Sequence, residues 1–279
     1  MRRVDPKHYT TVYYLTDATG FKEFKESWGK VLEPRLSRIV KEIPSVEGLR
    51  VLDIGCGRGE LVYWAARNGA NDVLGIDYSR HAIHLANQAR KHYPKNIRKK
   101  VRFELRDAKK IDFARGSFDL IIMTEILEHL YPEEQEVILR KISNILSKNG
   151  LLFIHTAPSR WFNDFTYRFW CYPLSTALVT VNNFFTGSNY NSLEKYENIR
   201  TASHRIMHVN EPDYLSLKNL FEKSGFHGKL RSTNVTVSKP ALSWKDTLFN
   251  SIVYLNPLSY YPPFNIFWGN DFYSVLKKV

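Results

Sequence analysis

The sequence predicts an α/β fold built on a parallel sheet, and three observations carry that expectation. Short apolar runs alternate with helical stretches from residue 50 to residue 155. The first run, Arg50 to Ile54, ends in glycines at alternate positions that open a helix. The run Ser117 to Met123 is almost wholly apolar, as a strand covered on both faces must be.

Taken in order, Phe21 to Ile43 reads as helical. Phe21, Phe24, Trp28, Val31 and Leu32 share one face. Pro34 breaks or restarts that helix, and Leu36, Ile39, Val40 and Ile43 continue the pattern. Arg50–Ile54 is a strand, Glu60–Asn68 a helix, Asn71–Asp77 a strand and Ser79–Tyr93 a helix. Val101–Arg106 and Ser117–Met123 are strands, and Glu133–Ser147 is a helix closed by Lys148-Asn149-Gly150. Leu151–His155 is the fifth strand. After an interruption, Pro212–Ser224 is helical up to Gly225, a strand covers Gly228–Val237, and Phe272–Lys277 is the last strand. The chain therefore reads as a single domain over 1–279, with an N-terminal helical cap at 1–47 and two insertions, 156–210 and 238–270.

The insertions share a composition. Phe169 to Leu193 and Thr247 to Asn270 contain no Asp, Glu, Lys or Arg, yet are rich in Phe, Tyr and Trp and broken by prolines. They are too polar and too broken by prolines to span a bilayer. Two expectations stay open: a cap packed over the active site, or an aromatic surface that docks at a membrane interface.

Composition excludes several classes. A chain of 279 residues with two cysteines, Cys56 and Cys171, is neither a disulfide scaffold nor a cysteine-based zinc protein. No secretory leader and no spanning helix are visible, so the expected compartment is the cytoplasm, with a peripheral position at the inner membrane face left open. The net charge of +12 suits nucleic acid, anionic lipid or phosphorylated small molecules, and does not choose among them.

The chemistry-bearing segment is Val51-Leu52-Asp53-Ile54-Gly55-Cys56-Gly57-Arg58-Gly59-Glu60. Its G-x-G-x-G spacing lets the backbone turn sharply and lets a ligand lie against it, and differs from the G-x-G-x-x-G of pyrophosphate sites. Asp77 ends the second strand, where an acid can accept both hydroxyls of a ribose. Asp107 and Ala108 follow the third strand, and Thr124 begins the segment after the fourth. All lie at the carboxyl ends of parallel strands, where open α/β sheets bind ligands.

On these residues the sequence resembles the class I S-adenosylmethionine-dependent methyltransferases, from about Gly48 to His155, again over Glu211–Gly225, and over Asp271–Lys277. The resemblance implies a seven-stranded Rossmann-like sheet whose last strand is antiparallel, with S-adenosylmethionine as cofactor. It implies that Asp53, Gly55 and Gly57 cradle the methionine end, with Cys56 and Gly59 in the same loop. Asp77, beside Tyr78, would hold the ribose, and Asp107 with Ala108 would meet the adenine; Thr124 completes the set. Cys56 by itself reads as a small buried filler. Trp28 is either core or a cover on the cofactor.

Methyl transfer to a hydroxyl needs alignment and usually a base. The candidates are His155 at the end of the fifth strand, and Glu125 with His129 after the fourth. Glu128 and His129 also read as loop-orienting residues. His204 and His208 are spaced as metal ligands are, but no glutamate lies between them in the H-E-x-x-H manner, so no metal is expected. The segment Thr124-Glu125-Ile126-Leu127 lacks the signature of exocyclic-amine methylases and the cysteine of cytosine-C5 methylases. Leu127-Glu128-His129-Leu130 and the loop His155 to Trp161 look like small-molecule and glycan O-methyltransferases. The expected acceptor is a sugar or lipid-linked glycan at the cytoplasmic membrane face. A quinone-type O-methyltransferase, a tRNA methyltransferase and a non-enzymatic cofactor-binding scaffold remain as alternatives.

Overall fold

The computed structural model describes residues 4–234, 237–238 and 243–279. Its strands are β1 (Arg50–Ile54), β2 (Asp72–Asp77), β3 (Val101–Leu105), β4 (Phe118–Thr124), β5 (Leu146–Thr156), β6 (Phe226–Thr233) and β7 (Asp271–Lys278). Its helices are α1 (Phe21–Ser27), α2 (Pro34–Ile39), α3 (Glu60–Arg67), α4 (Arg80–Lys91), α5 (Lys95–Arg98), α6 (Pro132–Ile145), α7 (Tyr172–Thr186), α8 (Ala202–Met207), α9 (Tyr214–Lys223) and α10 (Trp244–Val253).

The strands form one seven-stranded sheet in the order β3-β2-β1-β4-β5-β7-β6. β1 is parallel to β2 on one side and to β4 on the other. The strand order reverses there, so a crevice opens past the carboxyl ends of β1 and β4. β7 runs antiparallel to both β5 and β6, as expected.

β1, β2, β4 and β5 each feed two cores, because successive side chains point to opposite faces. Val51, Val73, Val101, Leu120, Ile122 and Phe153 pack on one face with Phe24, Val62 and Leu85. Leu52, Ile54, Leu74, Ile76, Ile121, Met123, Leu152 and Ile154 pack on the other with Leu139, Ile142, Leu217 and Phe221. That double burial is why these strands read as continuous apolar runs. β6 pairs with β7 through Gly228, where a Cβ would strike the Val275 carbonyl oxygen.

Three local expectations are corrected. The helix expected over 21–43 stops at Ser27, because Trp28 and Gly29 both take left-handed backbone (φ 55° and 72°); Pro34 then starts α2. Lys148-Asn149-Gly150 does not close α6. That helix ends at Ile145, and Leu146 pairs across the sheet with Phe118, leaving 147–150 as an irregularity inside β5. β6 runs from Phe226 to Thr233 rather than from Gly228 to Val237, and the expected residues 235–236 lie outside the described ones. So do residues 239–242 of the second insertion.

The insertions touch each other. Phe162, Tyr167 and Cys171 from the first share an apolar cluster with Val253 and Tyr254 from the second. The Trp170 Nε1–H donates to the Ile252 carbonyl at 3.3 Å, and Cys171 Sγ lies 3.2 Å from that of Val253. Among the described residues, no helix is long and apolar enough to cross a membrane.

Candidate active site

The crevice opens into a cavity of about 1300 Å³. Its floor is the turn after β1. Gly55, Gly57 and Gly59 all have positive φ (72°, 52° and 92°), which glycine adopts without a Cβ penalty. The Gly55 and Cys56 N–H groups both donate to the Ile76 carbonyl, so the loop is pinned to the end of β2. A Cβ on Gly55 would run into Ile126, and one on Gly59 into Phe103.

Two acids define the floor electrostatically. Asp53 is 2% exposed and its Oδ2 has no hydrogen-bond partner within the chain. Burial, with Asp77 and Glu60 close by, pushes its carboxyl well above the ordinary carboxylate range. A ligand ammonium would fit that open acceptor and favour its charged form. Asp77 accepts from the Gly57 N–H (3.0 Å) and the Ser79 N–H (2.8 Å). Burial raises its pKa to about 6 despite those bonds. Each of its oxygens keeps a lone pair for a ligand hydroxyl.

Cys56, Gly57, Tyr78, Asp107, Ala108 and Thr124 line the same cavity with Asp53, Gly55 and Asp77. Gly59 does not line it; that residue shapes the turn from behind. Asp107 caps a short turn by accepting from the Lys109 N–H at 2.9 Å. The Cys56 thiol is pushed far up by burial and by Asp77 and Asp53, so it stays protonated. Trp28 stacks on His92 at 4.1 Å and does not line the cavity.

The roof carries the candidate acid–base groups. Glu125 and His129 line the cavity, and His155 does not. His155 is 0% exposed, with Nδ1 2.9 Å from Glu125 Oε1 and Nε2 3.3 Å from Asp271 Oδ1. Burial disfavours its charge, but Asp271 and Glu125 outweigh burial and raise its pKa to about 9. Glu125 takes left-handed backbone (φ 58°), and its carboxylate also pairs with Arg35 of α2. Burial would raise that carboxyl; Arg35 and His155 hold it well below the usual range. Such a backbone costs a non-glycine residue about 1–3 kcal/mol, and here the ion pairs on both sides fix it.

His129 is held differently. Its Nδ1 lies 3.0 Å from the Met207 carbonyl and 3.2 Å from the Tyr9 hydroxyl. A carbonyl only accepts, so the proton sits on Nδ1 and the lone pair on Nε2. Burial also lowers the imidazole pKa, keeping it neutral. His208 packs edge-on against His129 at 4.8 Å, and burial pushes its pKa down to about 3. His204 and His208 both line the cavity. Among the described residues, no group of three or more His, Cys, Asp or Glu could hold a metal ion.

Several site residues escaped sequence reasoning. Arg35 arrives from a distant helix and had no local signal. The Tyr9 ring packs on Tyr78 (5.5 Å), and its carbonyl accepts from Ser79 Oγ at 2.9 Å, which lays the N-terminal segment over the crevice. Arg58 fastens that segment through the Tyr14 and Thr19 carbonyls, both at 2.7 Å. Glu128 stood in view beside His129. It is 1% exposed, accepts from Thr156 Oγ1 at 2.7 Å, and is raised to about 8 by burial and by Glu125.

An open α/β sheet with an antiparallel last strand, and an unpaired acid beneath a glycine turn, is the architecture of the S-adenosylmethionine-dependent methyltransferases; S-adenosylmethionine is the cofactor of that class. A family model described as a methyltransferase domain matches residues 28–228, and the chain belongs to that family. It is 27% identical over 194 residues to methyltransferase GfsG of Streptomyces halstedii, covering 70% of this chain and 62% of that one. It is 32% identical over 127 residues to a ubiquinone biosynthesis O-methyltransferase of Bradyrhizobium diazoefficiens, covering 46% and 47%. The chain thus spans about half the length of the curated relatives it matches. An S-adenosylmethionine-dependent methyltransferase structure from Mesorhizobium loti shares the fold, with TM-score 0.56, 18% identity, and coverage of 87% and 96%.

Proposed function

We propose that this chain transfers the methyl group of S-adenosylmethionine to a hydroxyl, with His129 as the general base. When bound, the cofactor supplies an electrophilic methyl on a sulfonium sulfur. Asp53 would take its ammonium group, Gly55, Cys56 and Gly57 would lie along its methionine part, and Asp77 beside Tyr78 would accept from its ribose hydroxyls. Asp107, Ala108 and Thr124 would border the adenine. The chain's own work is then to align an acceptor and to remove its proton.

The observation that carries the proposal is the His129–Met207 hydrogen bond, which leaves a neutral imidazole with its lone pair on Nε2. His155 fits a different role. It is enclosed and charged between two carboxylates, so it orients Glu125 rather than taking a substrate proton. Glu125, ionised and cavity-facing, would position the acceptor.

For the acceptor we favour a sugar or lipid-linked glycan at a membrane face, because aromatic side chains suit sugar faces and basic ones suit anionic linkers. A second reading, a quinone-type phenol, draws on the printed name of the Bradyrhizobium relative. A tRNA acceptor draws only on net charge, and a non-catalytic scaffold draws on no feature of the site. The test is transfer of labelled methyl to lipid-linked sugars, phenols and tRNA in parallel. His129→Ala should lower kcat by about 10²–10⁴-fold while leaving cofactor affinity intact. Full kcat in that variant would remove His129 from the chemistry, and no transfer to any hydroxyl would remove the O-methyl assignment.

A further inference from the structure

Every exposed large aromatic side chain among the described residues lies between 165 and 267, in the two insertions. On α7 the outward residues Ala177, Thr180, Val181, Phe184 and Phe185 recur at helical spacing, which sets them on one face. Phe184 and Phe185, in the last turn, are 81% and 79% exposed. α10, which packs beside α7, turns Trp244 and Leu248 outward one turn apart. Contiguous apolar exposure of this kind has no use in folding.

Its charge pattern says what covers it. Residues 165–193 contain no Asp or Glu and a single cation, Arg168; residues 247–270 contain no charge at all. Arg168 lies over the rings of Phe169 (5.2 Å) and Tyr196 (5.0 Å), and Lys245 lies over Trp244 (6.0 Å). Of the acids near the face, Asp164 is paired with Arg200, while Glu194 and Asp246 accept from the neutral Asn198 and Ser243 side chains and lie outside the charge-free stretches. An aromatic centre with Arg168 and Lys245 stacked at its border, on a chain of net charge +12, matches an anionic lipid interface, and no described helix is fit to span one. The inner side of the same insertion, at Asn163, Tyr167 and Leu193, lines the cavity.

We propose that the outer face of α7 and α10 docks onto the interfacial layer of an anionic phospholipid membrane, so that a lipid-borne acceptor reaches the cavity along the insertion's inner wall. This names the partner of the site and rests on the methyltransferase proposal only for the acceptor. The test is flotation of the full chain with phosphatidylcholine vesicles with and without phosphatidylglycerol, alongside calorimetric titration with S-adenosylmethionine. The native chain should float with the phosphatidylglycerol vesicles. The Phe184→Ser/Phe185→Ser double variant and Trp244→Ser should each cut the bound fraction by about tenfold, with cofactor affinity unchanged. Leu215→Ser, an exposed change on α9, should float as the native chain does. No flotation by a chain that still binds cofactor, or undiminished flotation of the variants, overturns the docking proposal alone. A concentration-dependent dimer dispersed by the double variant overturns it in favour of a second copy of this chain. Loss of cofactor binding by the native chain overturns the methyltransferase proposal and leaves the vesicle result to stand.

Discussion

Asp77 shows how far single residues were legible. Its place at the end of a strand after a glycine turn was readable, but its clamp by the Gly57 and Ser79 N–H groups depends on the two loops meeting in space. Asp77→Ala should remove hydrogen bonds worth about 1.5–3 kcal/mol each, and so weaken S-adenosylmethionine binding by at least about tenfold in calorimetry. His155 shows the opposite limit, since its strand-end position reads the same whether it faces a substrate or two carboxylates. Its folded pKa of about 9 lies above an unfolded value of about 6.5. The native state therefore holds the extra proton between those values. The stabilisation is complete below the lower value and is lost as pH rises through the upper one. His155→Gln should accordingly cost more stability in urea unfolding at about pH 6 than at about pH 10. A cost independent of pH would mean that the imidazole is neutral in the fold.

At the scale of elements, the short helix α2 matters more than its length implies. Glu33 caps it by accepting from the Arg35 and Leu36 N–H groups, both at 2.8 Å, and Pro34 sets its first turn. The helix thereby delivers Arg35 to Glu125. Glu33→Ala should cost about 1 kcal/mol, seen as a lower urea midpoint at unchanged m-value. The helical period across 21–43 was visible, but its interruption at Trp28 and Gly29 was not. A left-handed tryptophan is fixed by tertiary contacts, here by stacking on His92. The start of β5 was misplaced for a related reason. Lys148-Asn149-Gly150 has turn chemistry, and only the pairing of Leu146 with Phe118 makes it part of a strand.

The whole molecule couples cofactor, N-terminal segment and sheet. Arg58, Ser79 and His129 each hold the segment over the crevice, so a bound cofactor would be enclosed between it and the glycine turn. A ligand that binds only the native state at about 100 times its Kd adds about 2.7 kcal/mol. With about 2.1 cal/mol/K of unfolding entropy per residue, that raises Tm by about 5 °C for a chain of this size. Scanning fluorimetry with S-adenosylmethionine measures this directly. An unchanged Tm at saturating ligand would mean that the native chain has no preference for it.

The antiparallel last strand followed only from the family resemblance; the sequence by itself determined the α/β class, the glycine turn and the two acids beside it. Each is a local pattern: a period, a loop between a strand and a helix, or a residue at a strand end. Tertiary structure alone decided which histidine keeps a lone pair, because the Met207 carbonyl and the Asp271 carboxylate reach their imidazoles from far along the chain. It alone joined the two insertions through Cys171 and Val253, leaving their aromatic residues divided between a buried cluster and an exposed face. Composition counts rings, and only packing says which of them water meets.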